Sequence, residues 1–420
     1  MKAQPAVRAF FIFLFTVAFS GCVHDPGSPG SEDADEIRAQ LTADEKVAAS
    51  SNRFALDMYH ELAMGQGNVF FSPWSLTCAL SMAGEGANAS TADEIRSVLH
   101  SSGDNSAWRQ TFLKLDTRFN ARSSGYQLTS ANAIWVDSSF PLDKGYAALI
   151  ERYYHARAEN LDLKDEIGTA REAINNWVGS KTAGKIKDLI AEGYINPETR
   201  LILTNAIYFN GTWIKAFDSS RTRDGNFFKE GGGTVAVPMM SRTDQDAIFD
   251  YMENEDVQML RMPYAGGNVS MLIILPKGND SARLESLLSA EEIEKWRSEL
   301  VMRRVDIYIP RFKLESSCLL KKTLADLGMP TAFSGTADFS GMSSGRMLFI
   351  SEVIHKAYAD VNEQGTEAAA ATAVIMAESA SNFYEPATVF RADHPFLFLI
   401  EDRQTGCILF MGRLSDPAAA

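Results

Sequence analysis

Apolar residues recur at helical spacing through "DEKVAASSNRFALDMYHELAM" (44–64), which predicts an amphipathic helix. A second helix is predicted over "SLTCALSMAGEGA", with Pro73 before it and Ser72 placed to cap it. "STADEIRSVLH" carries a capping-box pattern, Thr91 followed three residues later by Glu94. "TAREAINNWVGSKT" reads as another helix. Farther along, the period changes. "TRLILTNAIYFNGTW" and "VSMLIILPKG" are apolar runs of the kind that make buried strands. "RRVDIYIPRFKLE" alternates apolar and polar residues and then meets Pro310, which predicts an edge or a bend. "RMLFISEVIHKAYADVNE" and "HPFLFLIEDRQTGCILFMGRL" are rich in Phe, Ile and Leu, and the turn "DRQTG" makes the second a hairpin. Helices first and strands later argue for an α+β fold rather than alternating α/β. No repeat at solenoid periods is visible. No Pro/Gly/Ser-rich break interrupts residues 46–420, which are expected to form a single domain.

The N-terminal part has another pattern. Lys2 and Arg8 precede "AFFIFLFTVAFSG" (9–21), an apolar run shorter than the roughly 20 residues a membrane-spanning helix needs. Residues 1–21 therefore read as a signal peptide for secretion. "FSGC" sets Cys22 after two small residues and resembles the lipobox of prokaryotic lipoproteins, which implies lipidation of Cys22. Residues 22–45, beginning "CVHDPGSPGSEDADE", read as a flexible linker with a reach of about 25 Å. The expected location is extracytoplasmic, with the membrane contacted only through the lipid on Cys22.

Charge and chemistry narrow the function. The net charge of −14 comes with no basic patch, so a nucleic-acid partner is not expected. The spacing of Cys78, Cys318 and Cys407 offers no Cys-x-x-Cys pair, and each reads as a small buried hydrophobe. His24, His60, His100, His155, His355 and His394 are scattered without a metal-binding spacing, and no phosphate loop or dinucleotide fingerprint occurs. No metal and no cofactor is expected. "GMSSG" (341–345) matches the nucleophile-elbow pattern around Ser343, but polar "GTADFS" precedes it and a strand follows, the reverse of what a hydrolase needs.

What remains is "NEQGTEAAAATAVIMAE" (362–378). Four alanines favour a helix only weakly and cannot hold one alone. As a strand, Thr366, Ala368, Ala370 and Thr372 share one face, and Glu367, Ala369, Ala371 and Ala373 the other. The first set is small enough to slip between existing strands over a packed core, with Gly365 as a hinge. Exposed chain with small side chains is also protease bait.

At these residues the chain resembles the serpins. "NVFFSPWSLTCALSMAGEGANASTADEI", "LTNAIYFNGTW", "VPMMSRTD", "MLIILPKG", "ADFSGMS", "VIHKAYADVNEQGTEAAAAT" and "FRADHPFLFLIEDRQTGCILFMGRLSDP" match that family's motifs in the family's order, over residues 50–417. The resemblance implies a serpin fold of three β-sheets, about eight to nine helices and an exposed reactive-centre loop. It implies a monomeric, non-enzymatic inhibitor of serine proteases. The protease forms an acyl-enzyme with the loop; the cut loop inserts into the central sheet, a strand addition known for this family. The dragged protease is distorted before water can release it.

The implied hinge is Glu363, Gly365, Thr366, Glu367, Ala368, Ala369, Ala370, Ala371 and Thr372. Family spacing sets the scissile bond at Ser379–Ala380, with Met376–Ala377 and Glu378–Ser379 as alternatives. A small Ser379, with no Lys or Arg from Gln364 to Pro386, suits elastase-like or subtilisin-like proteases and argues against trypsin-like ones. Ser72, Ser75, Asn205 and His355 match the shutter that regulates sheet opening; Trp213, Arg311 and Glu363 match the breach at its top. Mixed charge over residues 106–118 implies no heparin-type activation. The rivals are a non-inhibitory serpin acting as a binding protein and a hydrolase using Ser343.

Overall fold

Helix α1 (Ala43–Leu62) opens with a complete capping box: the Thr42 hydroxyl accepts from the Glu45 N–H, and the Glu45 carboxylate accepts from the Thr42 N–H. The helix thus starts three residues before 46. The computed structural model describes residues 41–65, 67–101, 105–121, 125–279, 281–344, 347–366 and 387–419. Residues Thr42–Ala420 make one compact unit. Its further helices are α2 (Pro73–Gly86), α3 (Ala89–Val98), α4 (Asn105–Asn120), α5 (Lys144–Tyr154), α6 (Ile167–Lys181), α7 (Ser281–Leu287), α8 (Ala290–Ser298) and α9 (Lys321–Asp326). Ser72 caps α2 as expected, its hydroxyl accepting from the Ser75 N–H at 3.2 Å. The capping box expected at Thr91 is absent. Helix α3 follows Asn88, and Thr91 lies inside it, buried, accepting from the Asp338 N–H. Glu94 accepts from both the N–H and hydroxyl of Thr331. The same polar pattern serves tertiary contacts instead of a helix end.

The strands are β1 (Val69–Phe71), β2 (Tyr126–Asp137), β3 (Arg157–Leu161), β4 (Leu201–Thr212), β5 (Arg223–Phe228), β6 (Thr234–Arg242), β7 (Ile248–Glu253), β8 (Val257–Pro263), β9 (Val269–Pro276), β10 (Val301–Pro310), β11 (Phe312–Leu319), β12 (Ile350–Asn362), β13 (Gly365–Thr366), β14 (Thr388–Arg391), β15 (Phe396–Asp402) and β16 (Ile408–Leu414). A central sheet runs β11-β12-β13-β4-β2-β3. The other strands form two sheets that share β10. Its first half, Val301–Arg304, pairs with β7, and its second half pairs with β6 and β14. The expected bend at Pro310 is where the chain leaves β10 and enters the central sheet as β11.

Alternation along β4 divides the interior in two. Leu203, Ile207 and Phe209 join the main core, while Ile202 and Ala206 face a smaller core beneath α6 with Trp135, Ile174, Ile190 and Ile354. Both faces of the central sheet are thus covered along this stretch, which explains its nearly continuous apolar sequence.

Candidate functional site

Below its top, β12 runs parallel to β4 and pairs with it directly from Ile350–Leu201 to Tyr358–Tyr208. Above that level the two strands part, and the two residues of β13 sit between them, antiparallel to both. Thr366 pairs with Val361 on one side and Gly211 on the other and is fully buried. A turn at Glu363–Gln364 reverses the chain into this slot, and only glycine fits at 365: a Cβ there would lie 1.8 Å from the Gly211 carbonyl oxygen.

The segment after β4 clamps that turn. Trp213 donates from its backbone N–H to the Gln364 carbonyl at 2.8 Å and from its indole to the Asn362 carbonyl at 3.0 Å. The Phe217 N–H donates to the Glu363 carbonyl at 2.9 Å. Glu363 accepts from the Thr222 hydroxyl at 2.6 Å and is ion-paired to Arg311. Burial opposes ionisation of Glu363, yet the hydrogen bonds from Thr222 and Arg311 and the nearby guanidinium charge hold its carboxyl below the usual carboxylate range. The structure therefore brings Trp213, Glu363 and Arg311 together with Gly365 and Thr366.

Ser72, Ser75, Asn205 and His355 also converge, lower in the sheet, all buried. His355 and Asn205 face each other across the β12–β4 pairing. The Ser72 N–H donates to His355 Nε2 at 3.1 Å, so the ring proton is on Nδ1, which donates to Asn205 Oδ1. Asn205 Nδ2 donates to the Ser75 carbonyl at 2.7 Å and to Asn132 Oδ1. The Ser72 hydroxyl donates to the Leu409 carbonyl at 2.6 Å. Burial pushes His355 down to about 3, so the imidazole is neutral at physiological pH. The network ties α2, β2, β4, β12 and β16 at the line where β4 and β12 pair.

Over residues 49–417 the chain matches the model of the family described as serpin (serine protease inhibitor). The chain belongs to the serpin family. An uncharacterized serpin-like protein of Thermococcus kodakarensis is 42% identical over 88% of this chain and 86% of its own length. The leukocyte elastase inhibitor of Xenopus laevis is 37% identical over 89% of this chain and 100% of its own. The crystal structure of Serpin48, described as a highly specific serpin of the insect Tenebrio molitor, superposes with a TM-score of 0.79. It has 32% identity over 90% of this chain and 99% of that one.

Several positions named from sequence lie outside the described residues: Cys22, Glu367, Ala368, Ala369, Ala370, Ala371, Thr372, Met376, Ala377, Glu378, Ser379 and Ala380. Ser343 is fully buried, with a turn before it and β12 after it, not the exposed strand-to-helix corner a nucleophile requires. Cys78 and Cys407 are buried; Cys318 is only half-buried, because β11 is an edge strand of the serpin's central sheet. Sequence reasoning missed Asn132, Thr222 and Tyr264. Asn132 had a signal: an amide inside the strand sequence "TSANAIWV" must find partners when buried. Thr222 reaches Glu363, and the Tyr264 hydroxyl reaches Thr366, only through tertiary packing, and neither carries a local signal.

Proposed function

We propose that this serpin inhibits serine proteases of the elastase or subtilisin type, as a one-use trap that acts by inserting its cleaved loop into the central sheet. One observation carries the reading: β13 already occupies the top of the gap between β12 and β4, and its register can be continued. Continued downward, residue 368 falls opposite Phe209 and Ala359, 370 opposite Ile207 and Ala357, and 372 opposite Asn205 and His355. Residue 376 then meets Leu201, the first residue of β4. Thr366, Ala368, Ala370 and Thr372 would thus face the main core, and Ala369, Ala371 and Ala373 the α6 side. A protease acylated at Ser379 would be carried past the far end of β4, about 44 Å from the hinge at 3.4 Å per residue. This favours Ser379–Ala380 over Met376–Ala377, whose acyl-linked residue would still lie within the sheet. The likeness to a leukocyte elastase inhibitor supports the same substrate class.

The test mixes the chain from about residue 40 with pancreatic elastase, subtilisin, chymotrypsin and trypsin, followed by denaturing gels and mass spectrometry. An SDS-stable complex with elastase or subtilisin, and a C-terminal peptide beginning at Ala380, is expected. Cleavage by all four without a complex, and without a rise in the melting temperature of the cleaved form, would refute the trap. Tethering of the secreted protein through lipid on Cys22 belongs to the same proposal. Its check is the mass of the mature N-terminus, which carries acyl chains if the proposal holds.

A further inference from the structure

Tyr264 lies between β8 and β9, outside the central sheet, yet its hydroxyl shares a 2.7 Å hydrogen bond with the Thr366 hydroxyl. Both residues are fully buried. The ring has no freedom to follow a moving hinge. It stacks on Trp213 at 4.4 Å between centroids and meets Phe209 edge-on at 4.9 Å. Its backbone N–H donates to the Val269 carbonyl, and the neighbouring Ala265 N–H donates to the Thr212 carbonyl. The phenol therefore projects a fixed polar group into the apolar top of the slot. A buried hydroxyl that loses its partner is destabilising, so Thr366 leaving the slot would strand the Tyr264 hydroxyl.

We propose that Tyr264 is a positioning residue for loop insertion: its hydroxyl keeps Thr366 seated between β12 and β4, so that insertion starts from a first rung already formed. This rests on the inhibitory reading above and adds to it the group that sets where insertion begins. The pair is made before cleavage and is retained afterwards, because Thr366 already holds the register of the inserted strand. Its effect falls on the race between insertion and deacylation, not on how the loop is recognised.

The experiment compares wild type with Tyr264→Phe, Thr366→Val and the double variant. Hydrogen–deuterium exchange across 365–366 reads the seat directly. Either single variant should exchange faster there, with β12 and β4 unchanged. With subtilisin and pancreatic elastase as probes, each single variant should show a fall of about fivefold in the ratio of trapping to turnover, the scale of one hydrogen bond. The association rate should not move. In the double variant two apolar groups replace the bonded pair, no hydroxyl is stranded, and the ratio should return toward wild type. Unchanged exchange in both single variants would overturn the proposal, as would an unchanged trapping ratio in both single variants when the wild type traps. A wild type that is cleaved without trapping either probe, and without a rise in the melting temperature of the cleaved form, would refute the inhibitory reading instead, and exchange at 365–366 would still decide whether Tyr264 holds the seat. Thr366→Val reports the same contact from its other side if Tyr264→Phe does not fold.

Discussion

Replacing Thr366 by Arg tests the hinge most severely. Thr366 has no solvent exposure, strands on both sides and the ring of Tyr264 at its tip. Among the described residues its hydroxyl meets the Tyr264 hydroxyl, and Glu363, the acidic residue of the turn, is already held by Thr222 and Arg311. An unpaired guanidinium in that slot costs about 3–5 kcal/mol. The intact chain avoids most of that cost by letting the hinge leave the slot, which sacrifices the β13 pairing and the Tyr264 contact at about 1 kcal/mol for each hydrogen bond lost. Its melting temperature should therefore fall by only a few degrees. The inserted state has no such escape, because every later residue must follow position 366 into the gap. A penalty of that size corresponds to roughly a hundredfold or more in the insertion equilibrium. Thr366→Arg should then be cleaved as a substrate. With elastase or subtilisin, the gel should show the cleaved chain and little or no complex, and the cleaved form should lack the large gain in thermal stability. Complex formation at the wild-type stoichiometry would refute the reasoning. Thr366→Val, which adds no charge, should lose far less.

Three other outcomes are expected. Gly365→Ala sets a Cβ against the Gly211 carbonyl, so the hinge cannot seat; trapping stoichiometry should worsen several-fold, and unchanged trapping would show that the close approach is not needed. His355 sits at about 3 when folded, against about 6.5 unfolded. Between those values the unfolded chain binds a proton that the folded chain does not. Stability is complete above pH 6.5 and falls by up to about 1.4 kcal/mol per unit as the pH drops toward 3. Urea midpoints at pH 7, 6 and 5 should show that loss in wild type and less of it in His355→Gln; equal losses would remove His355 as the source. Thr372→Val should leave the intact melting temperature unchanged while taking about 1 kcal/mol from the cleaved form alone. An equal loss in both forms would contradict the register of insertion.

Legibility in the sequence followed physical range. Periodicity located α1, α2, α6, β4, β9, β12 and the β15–β16 hairpin, because each buries one continuous face or two. It did not locate α4, whose half-exposed surface mixes charge with a few buried positions such as Phe112 and Leu115. It also misread Thr91 and Glu94, since a capping-box pattern and a pair of tertiary acceptors have the same letters. A special glycine at 365 was legible from its place before a run of small residues. That Gly211 is its steric counterpart was not, because the two are far apart in the chain and meet only through sheet pairing. Tyr264 belongs to the same class: an aromatic residue in an apolar segment reads as core, and only the fold sets its hydroxyl on Thr366.

If the loop inserts as proposed, two ways of closing one gap compete in this sheet. In the first, β12 and β4 pair directly, and His355 Nδ1 donates to Asn205 Oδ1 across the seam. In the second, a new strand separates them by one further inter-strand spacing of about 4.8 Å, and that bond must break. Breaking it would leave a buried donor and a buried acceptor unless the arriving residue serves both. A hydroxyl does so: it accepts from the imidazole and donates to the amide oxygen. In the register of β13, the residue that arrives there is Thr372. The residues arriving above it on the same face, at 368 and 370, are alanines over a core that is already filled. Those arriving at 371 and 373 on the opposite face come level with Ala206 and Ile354 beneath α6, and they too are alanines. Bulk at any of these four positions would push against packed side chains on one face or the other. The Ala/Thr composition is thus what the proposed insertion demands: a hydroxyl at the seat, a hydroxyl at the seam, and nothing larger than a methyl group between them on the core face.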